Sequence, residues 1–71
     1  MYLADRVLEG RLVEATLYDI ARDNYRRVDA EVLREYPNGT VRIRHESPSR
    51  FLDGSTQWLY DTVKLEDIEV L

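Results

Sequence analysis

At 71 residues and a formal net charge of −4, the chain is long enough for one domain and too short for two. It has no cysteine and a single histidine, His45, which excludes a disulfide framework and leaves no Cys/His set for zinc. Hydrophobic residues at 44% and charged residues at 34% mark a globular chain, and no apolar run reaches the roughly 18–20 residues that span a bilayer.

The N-terminal third carries two alternatives. Leu3, Val7, Leu8, Leu12, Val13, Leu17, Ile20 and Ala21 fall at helical spacing, which would give a helix over about 3–22 interrupted by Gly10. The competing reading places a helical turn or short helix over 2–9 and a strand over roughly 11–19, with Val13, Ala15 and Leu17 facing the core. The strand reading is preferred. Met1-Tyr2-Leu3-Ala4-Asp5-Arg6 has no basic segment followed by an apolar stretch, so a cytoplasmic location is expected. Asp23-Asn24 is a turn on either reading.

From Tyr25 onward the pattern is clearer. Val28, Ala30 and Val32 alternate with Arg27, Asp29 and Glu31, the period-two signature of a half-buried strand. Tyr36-Pro37-Asn38-Gly39-Thr40 follows, then the alternating Val41-Arg42-Ile43-Arg44-His45, and together they predict a β-hairpin. A two-residue loop would make Pro37 pair with Thr40 without an N–H to give, and would set Glu35 opposite Arg42. A three-residue loop, with Pro37 opening a type I turn and Gly39 left-handed, places Leu33 beside Ile43 and requires a second bulge near Val32-Leu33 to keep Ala30 inward. The missing donor is the firmer constraint, so the three-residue loop is expected. Glu46 to Ser55 reads as a loop from its Ser, Pro, Asp and Gly content. Gln57-Trp58-Leu59-Tyr60 is strand-prone, and Val63 to Leu71 reads as a short strand, a tight turn at Glu66-Asp67 and a last strand.

Charge is unevenly spread. Residues 1–24 hold three basic and five acidic groups, residues 25–50 six and four, and residues 51–71 one and five, giving −2, +2 and −4. Overall acidity argues against coating nucleic acid by bulk charge.

From about Arg11 onward the chain resembles a small SH3-like barrel of the Tudor or KOW kind. The resemblance rests on Val13-Glu14-Ala15-Thr16-Leu17-Tyr18-Asp19, on Tyr25-Arg26-Arg27-Val28-Asp29-Ala30-Glu31-Val32, on the Pro37 to Arg44 hairpin, and on Trp58 with Val63-Lys64-Leu65-Glu66-Asp67-Ile68. It implies a mainly β domain over 11–71, an antiparallel barrel of about five strands, with residues 1–10 as an extension or short helix. Many Tudor-like modules bind methylated lysine or arginine in an aromatic cage, and Tyr18, Tyr25, Phe51 and Trp58 are the residues that could line one here. The plainer alternative is that Trp58, Tyr25 and Tyr36 build the core.

Arg42 and Arg44 share one face of their strand, with Arg26, Arg27 and Arg34 as candidate neighbours, and suit phosphate or an acidic protein patch. The alternative is a solvated face balanced by Glu31, Glu35 and Glu46. Asp53, Asp61, Glu66, Asp67 and Glu69 read as ordinary strand-end chemistry, and nothing positions a third member beside His45 for a triad. The expected function is therefore a non-enzymatic interaction module that docks on a protein partner, self-associates or serves as an accessory subunit, without metal, cofactor, membrane or small-molecule substrate. The alternatives are a nucleic-acid-associated module acting through Arg42 and Arg44, and a small acidic inhibitor of a nucleic-acid enzyme.

Overall fold

The computed structural model of the protein describes residues 8–71. Five strands form one antiparallel sheet: β1 (Leu12–Asp19), β2 (Asn24–Glu35), β3 (Thr40–Arg50), β4 (Thr56–Lys64) and β5 (Ile68–Val70), in the order β4-β3-β2-β1-β5. A 3-10 turn, Leu65–Asp67, leads into β5.

The strand reading of the N-terminal third holds. Val13 and Ala15 are fully buried and Leu17 packs against them, while Glu14 and Thr16 point the other way. A helix over 3–22 is overturned from residue 12 onward. Gly10 takes φ +84°, which no right-handed helix contains, and its N–H bonds to the Val32 carbonyl at 2.8 Å, tying the entry of β1 to β2. The alternative short helix over 2–9 lies almost wholly outside the described residues; of its span, Leu8 and Glu9 belong to a turn.

The Pro37 hairpin has the three-residue loop. Tyr36 N–H bonds to the Thr40 carbonyl at 2.9 Å, Gly39 N–H to the Tyr36 carbonyl at 3.2 Å, and Gly39 sits at φ +86°. Glu35 faces Val41 and Arg34 faces Arg42, so the Glu35–Arg42 pairing of the shorter loop does not occur. The second bulge falls between Val32 and Arg34, so Val32 rather than the expected Leu33 meets Ile43, and Ala30 meets His45. That single extra residue, Leu33, returns Val32 and Ala30 to the core side. Gly39→Ala is expected to cost about 1–2 kcal/mol, because a Cβ is strained in this left-handed position. Gly39→Asn should lose less, and the two urea midpoints check the ordering.

Two expectations are corrected. Glu46 to Ser55 is mostly strand: β3 runs on to Arg50, β4 begins at Thr56, and only Phe51–Ser55 turns, closed by Phe51 N–H to the Ser55 carbonyl at 3.1 Å. Pro48 sits where the register slips between Glu46 and Arg50, beyond the last β2–β3 pair, so its missing donor costs no ladder bond to β2. Likewise, the short strand expected at Val63 is the end of β4.

The expected barrel is corrected as well: the five strands form one sheet that does not close. Four ladders join five strands, and among the described residues none links β4 to β5. β5 is three residues long and is committed to β1 through Val70, Glu69 and Ile68, so the two edge strands meet only through the 3-10 turn. The core is correspondingly thin: Val13, Ala15, Ala30, Val32, Val41 and Ile43, flanked by Leu17, Val28, Val63, Leu65 and Ile68.

Candidate binding face

Strand alternation sorts the side chains onto two faces. The core residues and His45 occupy the inner one. The outer face of β3 presents Arg42, Arg44 and Glu46, and that of β4 presents Trp58, Tyr60 and Thr62 directly opposite them. The arginines do not stack on their direct partners. Arg42 faces Thr62 but lies over the Tyr60 ring at 5.7 Å, and Arg44 faces Tyr60 but lies over Trp58 at 4.3 Å. Both guanidinium groups thus lean the same way onto the diagonal ring, within cation–π range. Arg34, beside Arg42 on β2, lies over Tyr36 at 6.0 Å.

Charge balance differs along this row. Arg44 reaches Glu31 Oε1 with both Nε and Nη2 at 2.8 Å, as the balanced-face reading anticipates for Glu31. Arg34, Arg42 and Lys64 enter no ion pair among the described residues. Glu35 is engaged elsewhere, accepting from Leu8 N–H at 3.4 Å.

Of the residues named from sequence, the fold therefore brings Arg42, Arg44 and Trp58 together. Tyr18 and Tyr25 form a separate edge-to-face pair, with centroids 5.2 Å apart, near the far end of the β1–β2 hairpin. Tyr18 Oη donates to the Asp23 carboxylate, and that bond, helped by slight desolvation and the nearby Asp19 charge, raises the phenol above its ordinary value. Phe51 stands on the β3–β4 tip beside the exposed Leu52. There the Ser55 hydroxyl and N–H both donate to Asp53 and lower its carboxyl below the usual range. Among the described residues no other ring pair joins these aromatics. Trp58 is 39% exposed and Tyr25 69%, so neither serves as a core residue. Arg27 serves Glu14 and Glu69, at 2.9 and 3.0 Å, rather than the Arg42 row.

Sequence reasoning missed Tyr60 and Lys64 on this face, and Tyr36, which the plainer alternative put in the core, lies under Arg34 instead. The available signal was spacing: Trp58-x-Tyr60 repeats the period of Arg42-x-Arg44, and only the register converts that coincidence into contact. It also missed a pair on the inner face, a buried histidine beside a half-exposed carboxylate. His45 is 3% exposed, and its Nε2 lies 2.8 Å from Asp61 Oδ2. The other ring nitrogen, Nδ1, is buried without a partner. Asp61 also lines an open hollow of about 710 Å³ between the β1–β2 hairpin and β4, with Leu17, Arg26, Leu59 and Lys64. Since one His45 nitrogen is used by Asp61 and the other is buried, the ring offers no free nitrogen to this hollow as a base.

Among the described residues no group of three or more His, Cys, Asp or Glu is placed to hold a metal ion, and no helix is long and apolar enough to cross a membrane. In comparisons with models of known families, with curated proteins and with solved structures, nothing matched the chain.

Proposed function

We propose that the protein is a non-enzymatic interaction module of the SH3-like kind that docks on an acidic segment of a protein partner through the outer face of β2, β3 and β4. The observation that carries this reading is the row of guanidinium groups laid on aromatic rings, of which Arg34 and Arg42 have no carboxylate of their own. An arginine already resting on a ring loses less side-chain freedom when a carboxylate arrives, so the face is organised before binding. A four-strand meander whose fifth strand returns to pair with the first supports the SH3-like part of the reading.

The single tryptophan supplies the test. Because Trp58 lies against Arg44, its emission should shift on titration with a glutamate-rich peptide, and the apparent affinity should fall with salt. Arg42→Glu should weaken binding on the order of tenfold or more, as placing like charges together at an interface does. Unchanged emission, or equal affinity for Arg42→Glu, sinks the reading. A second reading, contact with single-stranded nucleic acid through Arg42 and Arg44, is favoured by one observation: Tyr60 and Trp58 are partly exposed and interleaved with those arginines, as base-stacking surfaces are. Saturable, salt-sensitive binding of an oligonucleotide where the peptide fails would select it.

A further inference from the structure

The outer face carries a second charged row beside the first. Glu69, Glu14, Asp29 and Glu46 stand on four successive strands: Glu14 faces both Glu69 and Asp29, while Asp29 and Glu46 each lie one residue beyond the Ala30–His45 pair. Arg27 balances Glu14 and Glu69, whereas Asp29 and Glu46 enter no ion pair among the described residues. On the other side of the Glu31–Arg44 bridge, Arg34 and Arg42 are directly opposed and equally unbalanced. Like charges placed opposite each other disfavour the isolated sheet. Both β2 and β3 thus read, along the outer face, as a free cation, a member of the internal bridge, and a free anion.

That order is self-complementary. A two-fold axis lying in the face, running across the strands through Glu31 and Arg44, lays Arg34 over Asp29 and Arg42 over Glu46 of the second copy, and the reverse, in one operation. Beside the axis, exposed Leu12 and Leu71 and part-exposed Trp58 line a groove of about 470 Å³ that such stacking would cover. The protein's two longer dimensions, 47 and 29 Å, allow the roughly 800 Å² per partner of an ordinary interface.

We infer that the outer face is the interface of a symmetric dimer, with a second copy of this chain as its occupant. The inference rests on the proposed reading that this face is the binding surface, and it names the partner.

Sedimentation across a concentration series tests it, with circular dichroism confirming that each variant is folded. The wild-type protein should sediment as a dimer that weakens as salt rises. Arg34→Glu/Arg42→Glu makes the four unbalanced positions all acidic and Asp29→Lys/Glu46→Lys makes them all basic, so each alone should be monomeric. An equimolar mixture should restore the dimer. A monomeric wild type, variants that still dimerise alone, or a mixture that stays monomeric would each overturn the inference. The docking reading fails separately: a monomeric wild type whose Trp58 emission still responds to the glutamate-rich peptide loses the dimer and keeps the docking.

Discussion

Ile43→Ala is expected to remove most of the protein's stability. Ile43 is among the largest of the fully buried side chains, at the centre of a core whose other members are valines and alanines. Such truncations cost about 2–5 kcal/mol, combining lost transfer free energy with the cavity left behind. Small domains hold about 0.05–0.15 kcal/mol per residue, hence roughly 4–11 kcal/mol in a chain of this length. Only six side chains make up the fully buried cluster among the described residues, so few neighbours can move to fill the gap and the upper part of the range applies. Ile43→Val should cost only about 0.5–1.5 kcal/mol. Urea denaturation followed by circular dichroism distinguishes the two, and a midpoint for Ile43→Ala close to that of Ile43→Val would contradict this account of the core.

Asp61→Ala carries the second large effect. It removes the carboxylate beside Nε2 of the buried His45 ring, whose Nδ1 already lacks a partner, and a buried polar group left unsatisfied costs about 1–3 kcal/mol. Replacing both members by apolar residues removes the unmet hydrogen bond altogether, so His45→Leu/Asp61→Leu should be more stable than Asp61→Ala. A double-mutant cycle measures the coupling directly. If Asp61→Ala lies within a few tenths of a kcal/mol of wild type, water has replaced the carboxylate and the pair is not structural. The carboxylate also has a place in the sheet's design. It projects inward from an edge strand, a common means of discouraging further strand pairing at an exposed edge.

These two positions show what the sequence could and could not disclose. Ile43 was legible because alternation and turn chemistry act locally: a missing N–H at Pro37 and a glycine at 39 determine the loop, and the loop determines which face Ile43 takes. The Leu33 bulge was legible for the same reason, since only an extra residue there reconciles the turn with an inward Ala30. His45 and Asp61 are sixteen residues apart, and their pairing depends on the β3–β4 register, which no local rule sets. Composition misled at Glu46 to Arg50, where serine and proline ordinarily end a strand but here lie in a bulge beyond β2's reach. Of the candidate site, Arg42 and Arg44 were legible as a shared face. Their rings were not, because a diagonal contact depends on how side chains lean as well as on which residues are opposed.

The pairing of β5 with β1 has a consequence for biosynthesis. Glu14 and Glu69 come from opposite ends of the described chain, and among the described residues β1 has no other neighbour on that side. While the chain is being made, the hairpins β1–β2, β2–β3 and β3–β4 can each form as their second strand emerges from the ribosome. β1 nevertheless keeps a bare edge until Ile68–Val70 has followed. Without Ile68–Val70, β1 would be left unpaired on that side among the described residues. The shortest strand is thus the one that covers an otherwise adhesive edge.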